Sequence, residues 1–191
     1  MRSDDFTGTL LAGGRSSRFG SNKALTRLAD GFLIEYPAAV LADLFPHRLL
    51  ITNTPEDYDF LGWPSAGDIH ADAGPLAGIH AALITAATPF LFVAGCDMPF
   101  LDRRLIAHLC ELAEGYDAVV PRTAKGLEPL HAVYRRDIVE VVDHHLARGD
   151  RKIQKILAEL KVRELNETEI LRAAGDLNSF RNINTVADLP E

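Results

Sequence analysis

The chain has 191 residues, long enough for one domain with a full hydrophobic core, and its 47% apolar and 25% charged residues are ordinary for a globular protein. A formal net charge of −7 argues against a dedicated DNA- or RNA-binding face, yet leaves room for a nucleotide held by a local cluster of cations. Cys96 and Cys110 are too few and too separated for a disulfide framework or a zinc site, the opening residues lack a signal-peptide pattern, and no apolar run approaches a membrane span. The expectation is a single cytoplasmic domain over residues 1–191, without nucleic-acid or membrane partners.

An apolar run from Phe6 to Ala12 reads as a short buried strand. It breaks into Gly13-Gly14-Arg15-Ser16-Ser17-Arg18-Phe19-Gly20-Ser21-Asn22-Lys23. Glycines let a backbone approach a ligand closely, exposed N–H groups donate to phosphate oxygens, and Arg and Lys neutralise charge. The Rossmann fingerprint would need glycine at position 15, and a P-loop would need its lysine directly after the second glycine. The stretch therefore suggests a polyphosphate site of another kind, with a basic surface turn as the plain alternative.

Residues 25–31 read as a short extended piece with a turn at Asp30-Gly31, a pair that favours positive φ. A helix follows over 33–44, with Ile34, Ala38, Leu41 and Phe45 at helical spacing and Pro37 tolerable only in its first turn. Residues 48–52 form a strand ending at Asn53, 55–61 a short helix, and 66–69 a short strand. Gly74-Pro75 opens a helix with Leu76, Ile79, Leu83 and Ala86 on one face. The continuously apolar run Pro89 to Ala94 has the character of a central strand covered on both sides. Beyond it come a helix over 101–114, strands over 116–121 and 130–134 separated by a polar loop, helices over 137–147 and 149–160, and a strand over 161–165. The tail from Phe180 to Leu189 is expected to return to the structure as a turn and short helix. This alternation predicts a three-layer α/β/α sandwich with a mostly parallel sheet.

Ligands of such sheets bind outside the carboxyl ends of the strands. The glycine loop, Asn53, Asp68 and Asp97 each follow a predicted strand, so one mouth collects them. Asp97, in Gly95-Cys96-Asp97-Met98-Pro99, can hold Mg²⁺, which takes one or two carboxylates and completes its shell with phosphate oxygens and water; an Asx turn is the plain alternative. Lys23 can place a point charge on a triphosphate, and Arg15 and Arg18 can add to it or pair with surface carboxylates. Asn53 can hydrogen-bond a base edge or serve a turn, and Asp68 can read guanine N–H donors or the ribose, or be a solvated acid. Gly74 to Gly78 offers amides at a helix start to an acceptor phosphate, or a tight start with glycine for packing. Asn182 and Asn184 can bind the acceptor or add an oxygen to the metal, or simply form a turn. Arg151 and Lys152 can reach an anionic acceptor, His131 reads as a structural strand residue, and His144-His145 as solvated helix surface. Cys96 lacks a partner base and reads as packing.

The opening loop, in the form Leu-Ala-Gly-Gly-x-x-x-Arg-Phe-Gly-x-x-Lys, resembles that of nucleotidyltransferases, and most of all the molybdenum cofactor guanylyltransferase (MobA) family. Asp68 to Gly78 (DIHADAGPLAG), Gly95 to Pro99 (GCDMP), Glu128 to Tyr134 (EPLHAVY) and Phe180 to Leu189 (FRNINTVADL) fit the same family in order, so the resemblance spans almost the whole chain. The resemblance implies a Rossmann-like nucleotidyltransferase fold and transfer of GMP from GTP to Mo-molybdopterin, giving molybdopterin guanine dinucleotide and pyrophosphate. By it, Leu11, Ala12, Gly13, Gly14, Lys23, Asn53, Asp68 and Asp97 match GTP-contacting positions, Asp97 is the magnesium ligand, and Lys23, Arg18 and Asp97 carry catalysis. It further implies other molybdenum cofactor biosynthesis proteins and apo-molybdoenzymes as partners. Asn22 departs from the family, whose members usually carry aspartate before the lysine. A CTP-dependent relative, a sugar-phosphate acceptor, or a non-catalytic nucleotide-binding protein are the competing readings.

Overall fold

The computed structural model describes residues 2–13, 22–28, 30–70, 73–183 and 188. In chain order its elements are β1 (Phe6–Leu11), β2 (Arg27–Leu28), β3 (Gly31–Phe32), α1 (Glu35–Leu44), β4 (His47–Ile51), β5 (Ser65–Ala66), α2 (Pro75–Thr85), β6 (Phe90–Gly95), α3 (Arg103–Glu111), β7 (Ala118–Thr123), β8 (Gly126–Leu127), β9 (His131–Arg135), α4 (Val139–Ala147), α5 (Ile153–Leu157), β10 (Val162–Leu165) and α6 (Glu167–Ala174). Short 3₁₀ turns intervene, among them Lys23–Leu25 and Pro55–Leu61.

Side chains alternate across a strand, so a strand in a middle layer must be apolar on both faces. In β6, Phe90, Phe92 and Ala94 enter one core cluster while Leu91 and Val93 enter the other. β4 divides Leu50 from Leu49 and Ile51, and β9 divides Val133 from Ala132 and Tyr134, in the same way. The first cluster is closed by α1, α3 and α6, the second by α2, α4 and α5. This is the expected three-layer sandwich. The approach of α1 to β1 needs Gly8, because a Cβ there would stand 2.6 Å from the Phe45 ring.

The main sheet runs β10-β7-β9-β6-β1-β4-β5, with β8 paired to β7. Pairings β6–β1, β1–β4, β4–β5 and β10–β7 are parallel; β9 runs antiparallel between β6 and β7, so the sheet is mixed but mostly parallel. β2 and β3 form a separate antiparallel hairpin. Gly31 is not among the positive-φ glycines; a Cβ there would instead meet Glu35, whose carboxylate accepts the Phe32 N–H at 2.6 Å.

Several element boundaries differ from expectation. The helix anticipated over 149–160 shrinks to α5, because Gly149 takes φ +76 and its N–H closes the end of α4 on the Leu146 carbonyl at 2.9 Å. The polar loop after β7 contains β8, turned back through Gly126 at φ +119. α6 has no counterpart in the sequence reading, although its capping box is plain: Asn166 Oδ1 accepts the Glu169 N–H at 3.1 Å and Glu169 Oε2 accepts the Asn166 N–H at 3.0 Å. His145 is buried with Val142 and Leu146 on the inner face of α4, not solvated beside the exposed His144, since one helical turn returns it to that face.

Candidate active site

β1 and β6 are neighbours in the sheet, but the chain leaves β1 toward β4 and β5 before crossing back to β6. The connections therefore depart to opposite sides and leave a crevice at the carboxyl ends of these two strands. A cleft of about 210 Å³ opens there, lined by Leu11, Gly13, Lys23, Pro75, Asp97 and Leu130 among others.

Two residues beyond β6, Asp97 meets Lys23 across this cleft, with Lys23 Nζ 2.7 Å from Asp97 Oδ2. Their side chains are 16% and 22% exposed, buried enough to limit screening by solvent yet open to a ligand. Gly95 makes room for the carboxylate: a Cβ on it would lie 2.6 Å from Asp97 Oδ1. The backbone of Asp97 is fixed from the tail, where the Ile183 N–H donates to its carbonyl at 2.9 Å. Burial, then the adjacent Asp97, pushes the Cys96 thiol up to about 12, so it supplies no thiolate.

Lys23 rides on a 3₁₀ turn whose cap is Asn22, its Oδ1 accepting the Ala24 N–H at 3.2 Å. Asn22 Nδ2 donates to Tyr58 Oη at 2.9 Å and to Asp57 Oδ2 at 3.3 Å, and Tyr58 donates back to Asn22 Oδ1 at 3.1 Å. Asn22 is thus a link between the Lys23 turn and the 3₁₀ turn after β4. That role was not legible in the sequence, because its partners lie 35 and 36 residues away.

The second wall follows β4 and β5. Asn53 Nδ2 donates to Asp68 Oδ2 at 3.2 Å, and the Asp68 N–H donates to Asn53 Oδ1 at 2.9 Å. A Cβ on Gly13 would stand 3.7 Å from Asp68 Oδ2, so the end of β1 meets this pair. Gly13, which lines the cleft with Lys23 and Asp97, therefore adjoins the Asn53–Asp68 pair, although Asn53 and Asp68 are not among the described residues lining it.

At the start of α2, Gly74 adopts φ +65, a conformation that favours glycine, and Pro75 takes the first helical position at the rim of the cleft. Gly78 lies one turn in and is buried; a Cβ there would meet Leu11 at 3.3 Å, so the missing side chain lets α2 pack closely on β1. Asn182 is exposed beside Ile183 and so lies next to the Asp97 backbone. Arg151 and Lys152 are exposed and are not among the described residues lining the cleft. His131 is fully buried between the Phe92 and Phe180 rings, and burial lowers it to about 3, which keeps it neutral. Gly14, Arg15, Arg18 and Asn184 lie outside the described residues.

Comparison with known proteins places this chain in a family. Residues 8–165 match the MobA-like NTP transferase domain. A molybdenum cofactor guanylyltransferase from Desulfosudis oleivorans is 38% identical over 190 residues, covering 97% of this chain and 93% of its own. The crystal structure of molybdopterin-guanine dinucleotide biosynthesis protein A from Archaeoglobus fulgidus superposes with a TM-score of 0.81 at 29% identity, covering 95% of this chain and 94% of that one. A 2-C-methyl-D-erythritol 4-phosphate cytidylyltransferase from Thermus thermophilus shares the fold alone, at TM-score 0.68 and 18% identity over 94% and 93% of the two chains. With the family domain matched over most of its length and a relative aligned nearly end to end, the chain belongs to the MobA-like NTP transferases, and it is a nucleotidyltransferase of the molybdenum cofactor guanylyltransferase type.

Proposed function

We propose that the enzyme transfers GMP from GTP to Mo-molybdopterin, forming molybdopterin guanine dinucleotide and releasing pyrophosphate. The observation that supports this most directly is the Lys23–Asp97 pair, 2.7 Å apart at the mouth between β1 and β6, with the Asn53–Asp68 pair beside Gly13 of the same cleft. One pair suits phosphates and the other a base or ribose. An oxygen of the acceptor phosphate attacks the α-phosphorus of GTP in line; that P–O bond forms as the bond from the α-phosphorus to the β-bridging oxygen breaks. The nucleophile is already anionic, which accords with a neutral, deeply buried His131 and an un-ionised Cys96 near the site.

Lys23 neutralises charge on the phosphates, and the backbone around Gly13 and Gly14 donates to them; Arg18 is assigned to the same loop. Asn53 and Asp68 orient the nucleoside, Leu11 and Ala12 form the floor, and Gly74, Asn182 and Asn184 are assigned to the acceptor side. The donor set at Asp97 fits Mg²⁺: one partly exposed carboxylate whose Oδ1 sits in space a Cβ at 95 would fill, with phosphate oxygens and water to complete the shell. When bound, the ion supplies charge neutralisation and alignment of the phosphates. In the free enzyme Lys23 balances the same carboxylate. A cytoplasmic setting, with other cofactor-biosynthesis proteins and apo-molybdoenzymes as partners, belongs to the same reading; no helix among the described residues is long and apolar enough to cross a membrane.

The test is pyrophosphate release with Mg²⁺ and a molybdopterin-bearing acceptor, running GTP, CTP, ATP and UTP side by side. Release with GTP alone is expected. Release mainly with CTP would overturn the base assignment, and tight GTP binding without release, given an acceptor active in a control, would overturn the acceptor or the catalysis.

A further inference from the structure

Three side chains from three separate segments converge outside the cleft. They are His70, from the loop after β5, His80, inside α2, and Asp143, on α4. Asp143 Oδ1 stands 3.6 Å from His70 Nε2 and 3.5 Å from His80 Nε2. One ligand atom from each of the three lies within 4.8 Å of the others, and the two imidazole rings meet edge to face with centroids 4.9 Å apart. These separations are long for direct hydrogen bonds. The two distances to Asp143 are close to the ligand–ligand edge of a tetrahedron around Zn²⁺, roughly 3.4 Å for bonds of about 2.0–2.1 Å.

His80 is the buried member of the three. Its side chain is 3% exposed, and its Nδ1 has no hydrogen-bond partner among the described residues.

We propose that His70, His80 and Asp143 form a binding site for a first-row divalent transition ion such as Zn²⁺, separate from the nucleotide cleft, with water in the fourth position. Two imidazoles and one carboxylate suit Zn²⁺, Co²⁺ or Ni²⁺, whereas Mg²⁺ prefers an all-oxygen shell, so the site does not compete for the ion assigned to Asp97. The ion ties α2 and α4 to the loop after β5. Because His70 follows Asp68 by two residues, it anchors the loop that carries part of the nucleotide wall.

The experiment uses metal-stripped full-length protein without nucleotide, titrated with Zn²⁺ against a competing chelator and with Co²⁺ followed by visible absorption. One equivalent per chain and the intense bands of four-coordinate Co²⁺ are expected. His70→Ala and Asp143→Ala, both outside the apolar core, should each weaken binding at least tenfold while circular dichroism stays unchanged. Asp97→Asn should retain binding, which makes the outcome independent of the proposed reaction. Absence of stoichiometric binding, retention in both His70→Ala and Asp143→Ala, or loss in Asp97→Asn would each overturn the site.

Discussion

At the scale of single residues, the site rests on charges whose partners are now specified. Asp97→Asn keeps the backbone carbonyl that accepts from Ile183, so the fold should persist. Turnover should fall by about a hundredfold or more, in the range typical for loss of one electrostatic stabiliser in a water-poor site. Unchanged thermal melting together with collapsed pyrophosphate release is the expected pair of results; full activity would remove Asp97 from the mechanism. Asn22→Asp keeps the cap on the Lys23 turn but replaces a donor to Asp57 Oδ2 with a like charge. It should destabilise the protein by about 1–2 kcal/mol in urea titrations, and Asn22→Asp/Asp57→Asn should recover most of that loss. An equal loss in the single and double variants would show that Asp57 is not the cause. Asp57 lies 35 positions from Asn22, so no local pattern expresses the contact.

At the scale of elements, α6 shows how a helix distant from the chemistry still shapes it. Its capping box starts the helix, α6 packs in the α1/α3 layer, and the chain beyond it reaches the site. There Ser179 Oγ accepts the Asp102 N–H at 2.8 Å, and Ile183 bonds the Asp97 carbonyl. Asn166→Ala should cost about 1 kcal/mol of stability, read as a lower urea midpoint with unchanged slope. A null effect would mean the helix is held by packing alone. Asn-Glu-Thr-Glu at 166–169 carries the capping signal, whereas the apolar face of α6 is thin, with Ile170 and Ala174 its buried residues. Conversely, no helix begins at Gly149, because the glycine sits at positive φ and α5 starts only at Ile153.

At the scale of the whole molecule, stability should respond to acid through His131. Its folded-state pKa is near 3 because burial disfavours the cation, while the unfolded chain titrates near 6.5. A base whose pKa is depressed in the folded state adds nothing to the pH dependence above pH 6.5; below it the unfolded state binds a proton that the folded state refuses. Stability is therefore lost progressively between pH 6.5 and pH 3, by about 2–3 kcal/mol at pH 4.5 from this residue. Comparing urea unfolding of wild type and His131→Leu at pH 7 and pH 4.5 checks it: the wild type should lose that much more than the variant, and equal losses would sink the assignment.

The layers and the order of most elements are legible in the residues alone. Apolar runs with period-two burial specify a covered sheet, glycine and proline mark where strands end, and the segments around Gly13, Asp97 and the tail are contiguous enough to identify a family. Which polar residues act together depends on how the elements pack. The pairing of Lys23 with Asp97, of Asn53 with Asp68, and of Asn22 with Tyr58 and Asp57 spans 74, 15 and about 35 positions. The burial of Gly78 and His145, and the meeting of His70, His80 and Asp143, are likewise consequences of how α2 and α4 pack on the sheet. Local propensity acts over a turn or a strand, whereas side-chain chemistry is assembled by distances across the core, which no short window of sequence records.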